Sequence, residues 1–172
     1  MRLACLAYRA HHPRWAFSPV SGEGAALHGG RFNRRGTPAL YTSLRLETAW
    51  LEAQQGFPFK AQPMTMCAYA VDCQDVVDPT DAAVMAELGM DGRDLGCPWE
   101  ALADRGAVPP SWALADRLMA AGHAGIVVPS FAPGATALDR NAVFWRWADV
   151  PPHMVRIIDD EGRLPKDDAS WH

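Results

Sequence analysis

The sequence predicts a single α+β domain, and three observations carry that prediction. Apolar runs of strand character open and close the chain, at Leu3 to Arg9 and Met154 to Asp159, with the helical segments gathered between them. Strands and helices do not alternate in the regular manner of a doubly wound sheet, and no internal repeat is present. At 172 residues, 49% apolar and 21% charged, the chain has the size and composition of one domain with a sizeable core.

In chain order, Leu3 to Arg9 is the first strand and Ser18 to Gly30 a Gly-bearing loop. Ala39-Leu40-Tyr41 is a short second strand. Ser43 then stands as the N-cap of a helix from Leu44 to about Gln55. On that helix Leu46, Ala49, Trp50 and Ala53 recur at helical spacing as the packing face, which leaves Arg45, Thr48, Glu52 and Gln55 on the polar side. A Pro-punctuated connection, Gly56 to Pro63, leads to a strand from Met64 to Val71 and a shorter one at Val76-Val77. Asp78 and Pro79 read as the N-cap and first residue of a helix that Gly89 ends.

Gly89 to Pro98 reads as loop, Trp99 to Asp104 as a short helix, and Ser111 to Ala121 as a longer one stopped by Gly122. Ala124 to Val128 fits a buried strand; Pro129 turns its exit, so that Ser130 lies at the strand's mouth. Functional groups are common at such strand ends. The loop Phe131 to Arg140 precedes a strand from Asn141 to Trp147, and Met154 to Asp159 follows after Pro151-Pro152. The domain is expected to span residues 1–164, with 165–172 a frayed polar tail.

Composition narrows the function classes. A net charge of −4 and a pI near 5.8 give no chain-wide footprint for nucleic acid, and the one basic cluster is Arg31, Arg34 and Arg35. The cysteines Cys5, Cys67, Cys73 and Cys97 lack zinc-type spacing and read as reduced structural thiols, so no metal is expected. The opening apolar run is too short for a signal peptide and no run reaches membrane-spanning length, which points to the cytoplasm. The Rossmann, P-loop, nucleophile-elbow and H-E-x-x-H motifs are all absent.

The chemistry-bearing stretch is Gly29-Gly30-Arg31-Phe32-Asn33, followed by Ala39 to Ser43 and then Trp50-Leu51-Glu52. It brings a guanidinium, aromatic rings and a carboxylate within about one strand, one turn and one helix. Those groups suit a dinucleotide: Arg for the diphosphate, an aromatic face for a flat cationic ring, and a carboxylate for ribose hydroxyls. They are equally compatible with a hairpin that carries one structural Arg and a surface Glu.

The run from Gly29 to Ser43, Gly-Gly-Arg-Phe-Asn-x-x-Gly-x-Pro-x-Leu-Tyr-Thr-Ser, resembles the signature of the RES-domain toxins. Trp50-Leu51-Glu52 and Val127-Val128-Pro129-Ser130 are similar to that family's later motifs, and the resemblance runs from Tyr8-Arg9 to Asn141-Ala142-Val143-Phe144. The family's Arg, Glu and Ser would be Arg31, Glu52 and Ser130. Phe32 stands where Trp is frequent, and either ring is expected to pack under the Arg.

The resemblance implies a fold similar to ADP-ribosyltransferases, in which two small β-sheets flanked by helices form a cleft for NAD+. It also implies cleavage of the nicotinamide–ribose bond. Glu52 would stabilise the oxocarbenium-like centre, with Glu47 as its rival, and Arg31 would grip the diphosphate. Tyr41 would stack on nicotinamide, and Ser130, Ser43 and Asn141 would complete the NAD+ contacts. ADP-ribose is expected to go to a target protein; water or phosphate as acceptor, and a non-catalytic binding protein on the same fold, are the alternatives. The implied partner is an Xre-type helix-turn-helix antitoxin. Trp15, Phe57, Phe59, Trp99 and Trp112 are available for its interface, with at least three of them expected in the core.

Overall fold

The structure of the protein, a computed structural model, describes residues 1–55 and 61–172. Strands β1 (Leu3–His11), β2 (Leu40–Ser43), β3 (Thr65–Cys73), β4 (Val76–Val77), β5 (Gly125–Pro129), β6 (Arg140–Phe144) and β7 (His153–Ile157) alternate unevenly with six helices. These are α1 (Glu23–His28), α2 (Leu46–Gln54), α3 (Ala82–Glu87), α4 (Gly92–Leu95), α5 (Trp99–Asp104) and α6 (Pro110–Ala120). The α+β class is as predicted.

The two small sheets expected from the resemblance are joined. The strands form one seven-stranded sheet in the order β4-β5-β6-β2-β1-β3-β7. β4 and β5 run parallel and every other pair is antiparallel. The join is slender. β1 pairs with β3 from Leu3–Cys73 to His11–Thr65, whereas β1 meets β2 through one residue pair, Tyr8 with Ser43. Two parts of the sheet are therefore joined at a narrow seam, Tyr8 with Ser43, and a cleft lined by both residues lies over it.

Side chains alternate across the sheet and pack a core on each face. On one face Ala7, Leu40, Tyr69, Val127, Ala142 and Phe144 are buried together. On the other, Ile126, Val128 and Val143 pack under Leu114, Ala115 and Leu118 of α6. Tyr41 and Ser43 pair in register with Val143 and Asn141 and so lie on this second face, as does Asn141 itself. The face thus changes along β6 from an apolar floor at Val143 to a polar one at Asn141.

Several local expectations need correction. Within the stretch read as loop, Glu23–His28 is helical. Its C-terminal carbonyls are caught from outside: Ala25 accepts from the Asn33 side chain at 2.8 Å, and Ala26 from the Gly36 N–H at 2.7 Å. Asp81, not Asp78, caps α3 by accepting from the Ala83 N–H. Asp78 instead accepts from the Thr80 N–H in a turn one step earlier. The expected loop 89–98 contains α4, started by a reciprocal capping box between Asp91 and Asp94. The tail ends in a 3-10 turn at Ala169–Trp171, with the Trp171 ring 5.2 Å from that of His12. Cys67, Cys73 and Cys97 are buried free thiols and Cys5 is half-buried; burial pushes the Cys73 thiol up to about 11.

Candidate active site

The largest departure from the sequence reading is the orientation of α2. Its N-cap is Arg45, without a side-chain cap, and Ser43 closes β2 instead. The buried residues of the helix are Thr48 and Ala49, while Leu46 and Trp50 are 49% and 39% exposed. Ala49 is buried as expected, but Thr48 and, in part, Glu52 of the row assigned to the polar outer side also face the protein, while the Arg45 side chain stays 41% exposed. Thr48 and Glu52 can do so because their neighbours are polar. Thr48 Oγ1 donates to Asp139 at 2.6 Å, and Arg45 lies 3.5 Å from the same carboxylate oxygen.

Glu52 is half-buried at the centre of the cleft. Its Oε1 accepts two hydrogen bonds, from Ser130 Oγ at 2.6 Å and from Asn141 Nδ2 at 2.5 Å. Gln55 donates to Oε2. Asn141 is aimed in turn by Ser43, whose Oγ donates to its Oδ1 at 2.7 Å. Ser43, Glu52, Ser130 and Asn141 therefore form one connected set drawn from β2, α2, β6 and the exit of β5. Glu47 takes no part: its side chain is 68% exposed and lies 3.6 Å from Arg45.

The Ser130 segment is held by Asp139, a residue that sequence reasoning missed. Ser130 donates its N–H to the Asp139 carbonyl at 2.7 Å. The Asp139 carboxylate accepts from the N–H and the hydroxyl of Thr136, each at 2.8 Å, as well as from Thr48. These donors hold its carboxyl down at about 2, the Thr48 hydroxyl first and then Thr136. A buried Asp with a Thr three residues before it is the local trace such a loop leaves, but the partner on α2 is 91 residues away.

Arg31 approaches from the other wall. Gly29 supplies a φ of 74°, and at Gly30 a Cβ would stand 2.5 Å from the Tyr41 hydroxyl, so no other residue fits the second position without displacement. The segment is then bolted in place. Trp112 Nε1 donates to the Gly30 carbonyl at 2.7 Å and Trp145 Nε1 to that of Phe32 at 2.8 Å. The Tyr41 hydroxyl accepts from the Phe32 N–H and donates to Asn33. Asn33, fully buried, spends its amide on three backbone carbonyls.

The Arg31 guanidinium donates to the Cys97 carbonyl and lies 4.5 Å from the centre of the Phe131 ring. Phe32, expected beneath it, is buried in the α6-side core instead. Burial lowers the Arg31 pKa, while Cys97, Glu52 and Tyr41 favour the charged form.

Two lobes of about 170 and 150 Å³ make up the cleft, and both are lined by Tyr41, Glu52 and Asn141. The first extends over the seam to Tyr8 and Arg9, which the sequence did not single out as site residues. The second reaches Arg31, Phe131 and Trp99. Tyr41 lines both with its hydroxyl already committed to Phe32 and Asn33, and burial raises its pKa. Among the described residues, no group of three or more His, Cys, Asp or Glu is placed to hold a metal ion. None of the described helices is long and apolar enough to cross a membrane.

An α+β fold whose one sheet narrows to a single residue pair, with a carboxylate over that seam, an aimed arginine beside it and a serine at a strand exit, defines a cleft-bearing domain of one kind. The chain belongs to the RES domain family, whose model matches residues 6–167. It is similar in fold to a chain of the M. tuberculosis MbcT–MbcA toxin–antitoxin complex. That crystal structure shares 19% identity over 92% of this chain and 84% of the other, with a TM-score of 0.62. No curated protein matches the sequence.

Proposed function

We propose that the protein is the toxin of a toxin–antitoxin pair and that it cleaves NAD+ at the nicotinamide–ribose bond. The observation that carries this reading is the Glu52 carboxylate, oriented by Ser130 and Asn141, with Arg31 and the Tyr41 ring in the adjoining lobe. In the reaction, the bond between C1′ of the ribose and the nicotinamide nitrogen breaks, and its electron pair leaves with nicotinamide. That departure neutralises the cationic ring, so no strong acid is required. Positive charge develops on the ribose, where a fixed carboxylate stabilises it most.

Ser130 and Asn141 keep the carboxylate aimed and are placed to contact ribose hydroxyls. Arg31 offers a planar fork for diphosphate oxygens. Its partner in the free protein is a carbonyl oxygen rather than a carboxylate, so the cation is available to an anion.

ADP-ribose then passes to an acceptor nucleophile, which forms the new bond at C1′ and loses its proton. We assign transfer to a target protein as the first reading, on the likeness of the family's fold to that of ADP-ribosyltransferases. Loss of ADP-ribose to water or phosphate is the second, favoured by the small volume of the two lobes. The proposed partner is an Xre-type antitoxin in the cytoplasm. Of the aromatic residues considered for its interface, Trp15 is 53% exposed, and Trp99 and Trp112 are half-buried. Phe57 and Phe59 lie outside the described residues.

The test is expression of the protein alone in bacteria, with acid-soluble NAD+ and labelled protein measured as growth stops. Arrest with a labelled protein band and modest NAD+ loss is the expected outcome. Arrest with collapse of NAD+ and no labelled band would replace transfer by degradation. Normal growth, together with no release of nicotinamide from NAD+ by the purified protein, would overturn the reading.

A further inference from the structure

Beyond the lobe that holds Arg31 lies a separate cavity of about 560 Å³, within the range of small-molecule pockets of roughly 300–1,000 Å³. The two share one wall, Trp99, which lines both. From the geometry we infer that this cavity is the subsite for a nucleoside 5′-monophosphate, the adenylate half of the dinucleotide, with Trp99 as the stacking platform. The inference rests on the proposed NAD+ reading and extends the same site away from the reacting bond.

The aromatic floor is braced. Trp99 and Trp112 lie 6.1 Å apart at a tilt of 40°, and Trp112 is fixed through its indole N–H to the Gly30 carbonyl, next to Arg31. The Trp pair is in contact, which leaves no slot between the rings; a base stacks on the outer face of Trp99. One side of the cavity is cationic. Arg34 sits 5.3 Å from the Trp112 ring, with much of its charge met by Asp116 at 2.7 Å. Arg35 is exposed, donates Nε to the His28 carbonyl, and makes no ion pair among the described residues. The other side, on α5, carries the carboxylates of Glu100 and Asp104.

A cation, an aromatic face and carboxylates in one cavity match the three parts of a nucleotide: phosphate, base and ribose diol. Carboxylates beside the diol also discriminate against a 2′-phosphate. Trp99 lines both cavities, which puts the proposed stacking platform directly beside the lobe that holds Arg31.

Calorimetric titration with AMP tests the subsite without any cleavage. AMP should bind the intact protein and be displaced by NAD+. Trp99→Ala should weaken AMP about tenfold, the scale of a lost base–aromatic stack, and Trp99→Phe should restore most of the binding. Arg35→Gln should weaken AMP while leaving adenosine unchanged. Absence of AMP binding, binding that NAD+ does not displace, or equal affinity in Trp99→Ala would each overturn the assignment. AMP binding with this pattern in a protein that releases no nicotinamide from NAD+ would keep the subsite and remove the proposed reaction.

Discussion

Helices α2 and α6 cover the same face of the sheet in opposite ways. α6 buries Leu114, Ala115 and Leu118 on Ile126, Val128 and Val143, a contact made of hydrocarbon alone. Each such leucine contributes roughly 1.5–3 kcal/mol by leaving water, and the contact demands little beyond shape. α2 turns Thr48 and Glu52 inward beside Ala49 and leaves Leu46 and Trp50 outside. Burying polar groups is costly unless each finds a partner, and here Asp139, Ser130 and Asn141 supply them. A helix needed only for stability would have presented Leu46 and Trp50 to the sheet. The mixed inward face is what a site requires: a carboxylate held in place, with its surroundings fixed before a ligand arrives.

The comparison separates most sharply under two substitutions. Glu52→Gln is nearly isosteric, so the fold should survive while nicotinamide release falls at least about a hundredfold, the cost of removing one charge aimed at a transition state. Glu47→Gln, outside the cleft, should change little. Sensitivity at Glu47 instead would mean that the inward row of α2 is not the reacting one. Leu114→Ala on α6 should do the reverse. It should cost about 2–5 kcal/mol of stability in denaturant titrations, with kcat and KM unchanged at temperatures where the variant stays folded.

A smaller effect is expected at Arg31. Arg31→Lys keeps the charge but loses the planar fork and the stacking on Phe131. NAD+ affinity should fall about tenfold, equivalent to roughly 1.4 kcal/mol, with the thermal transition little changed. Titration of NAD+ against the folded variant decides it. Unchanged affinity would make Arg31 a brace for the Cys97 carbonyl and nothing more.

Legibility followed the range of the interactions. Strands and helices set by local periodicity, such as β3, α5 and α6, stand where the sequence places them. So does the Gly29-Gly30 turn, because a positive φ and a close approach are written in the glycines themselves. The orientation of α2 was not readable. Its periodicity marks an apolar row, of which Ala49 is buried, but the inward turn of Thr48 and Glu52 in place of Leu46 and Trp50 depends on Asp139, Ser130 and Asn141, all more than seventy residues away. The single-pair seam between β1 and β2 is likewise invisible to strand patterns, as is the role of Phe131 in place of Phe32 beneath Arg31. Ser before an apolar run usually caps a helix, whereas the Ser43 hydroxyl goes to Asn141 across the sheet.

Asp139 ties α2 to the Ser130 loop without lining the cleft. Its carboxyl is held down at about 2, below the unfolded value of about 3.9 for an Asp. The folded state therefore favours the carboxylate, and the resulting stability is present in full above about pH 5. It drains away as pH falls through the folded value, where both states become protonated. Asp139→Asn keeps the size but replaces one acceptor oxygen by a donor, so either Thr48 or the Thr136 pair loses its partner. The gap in melting temperature between the two proteins should be constant from pH 7 to about 5 and narrow towards pH 2. At neutral pH the variant should also show a few-fold lower kcat with little change in KM, because Ser130 and Glu52 are less well aimed. A gap that does not depend on pH would show that the carboxylate charge is not what pins the helix to the loop.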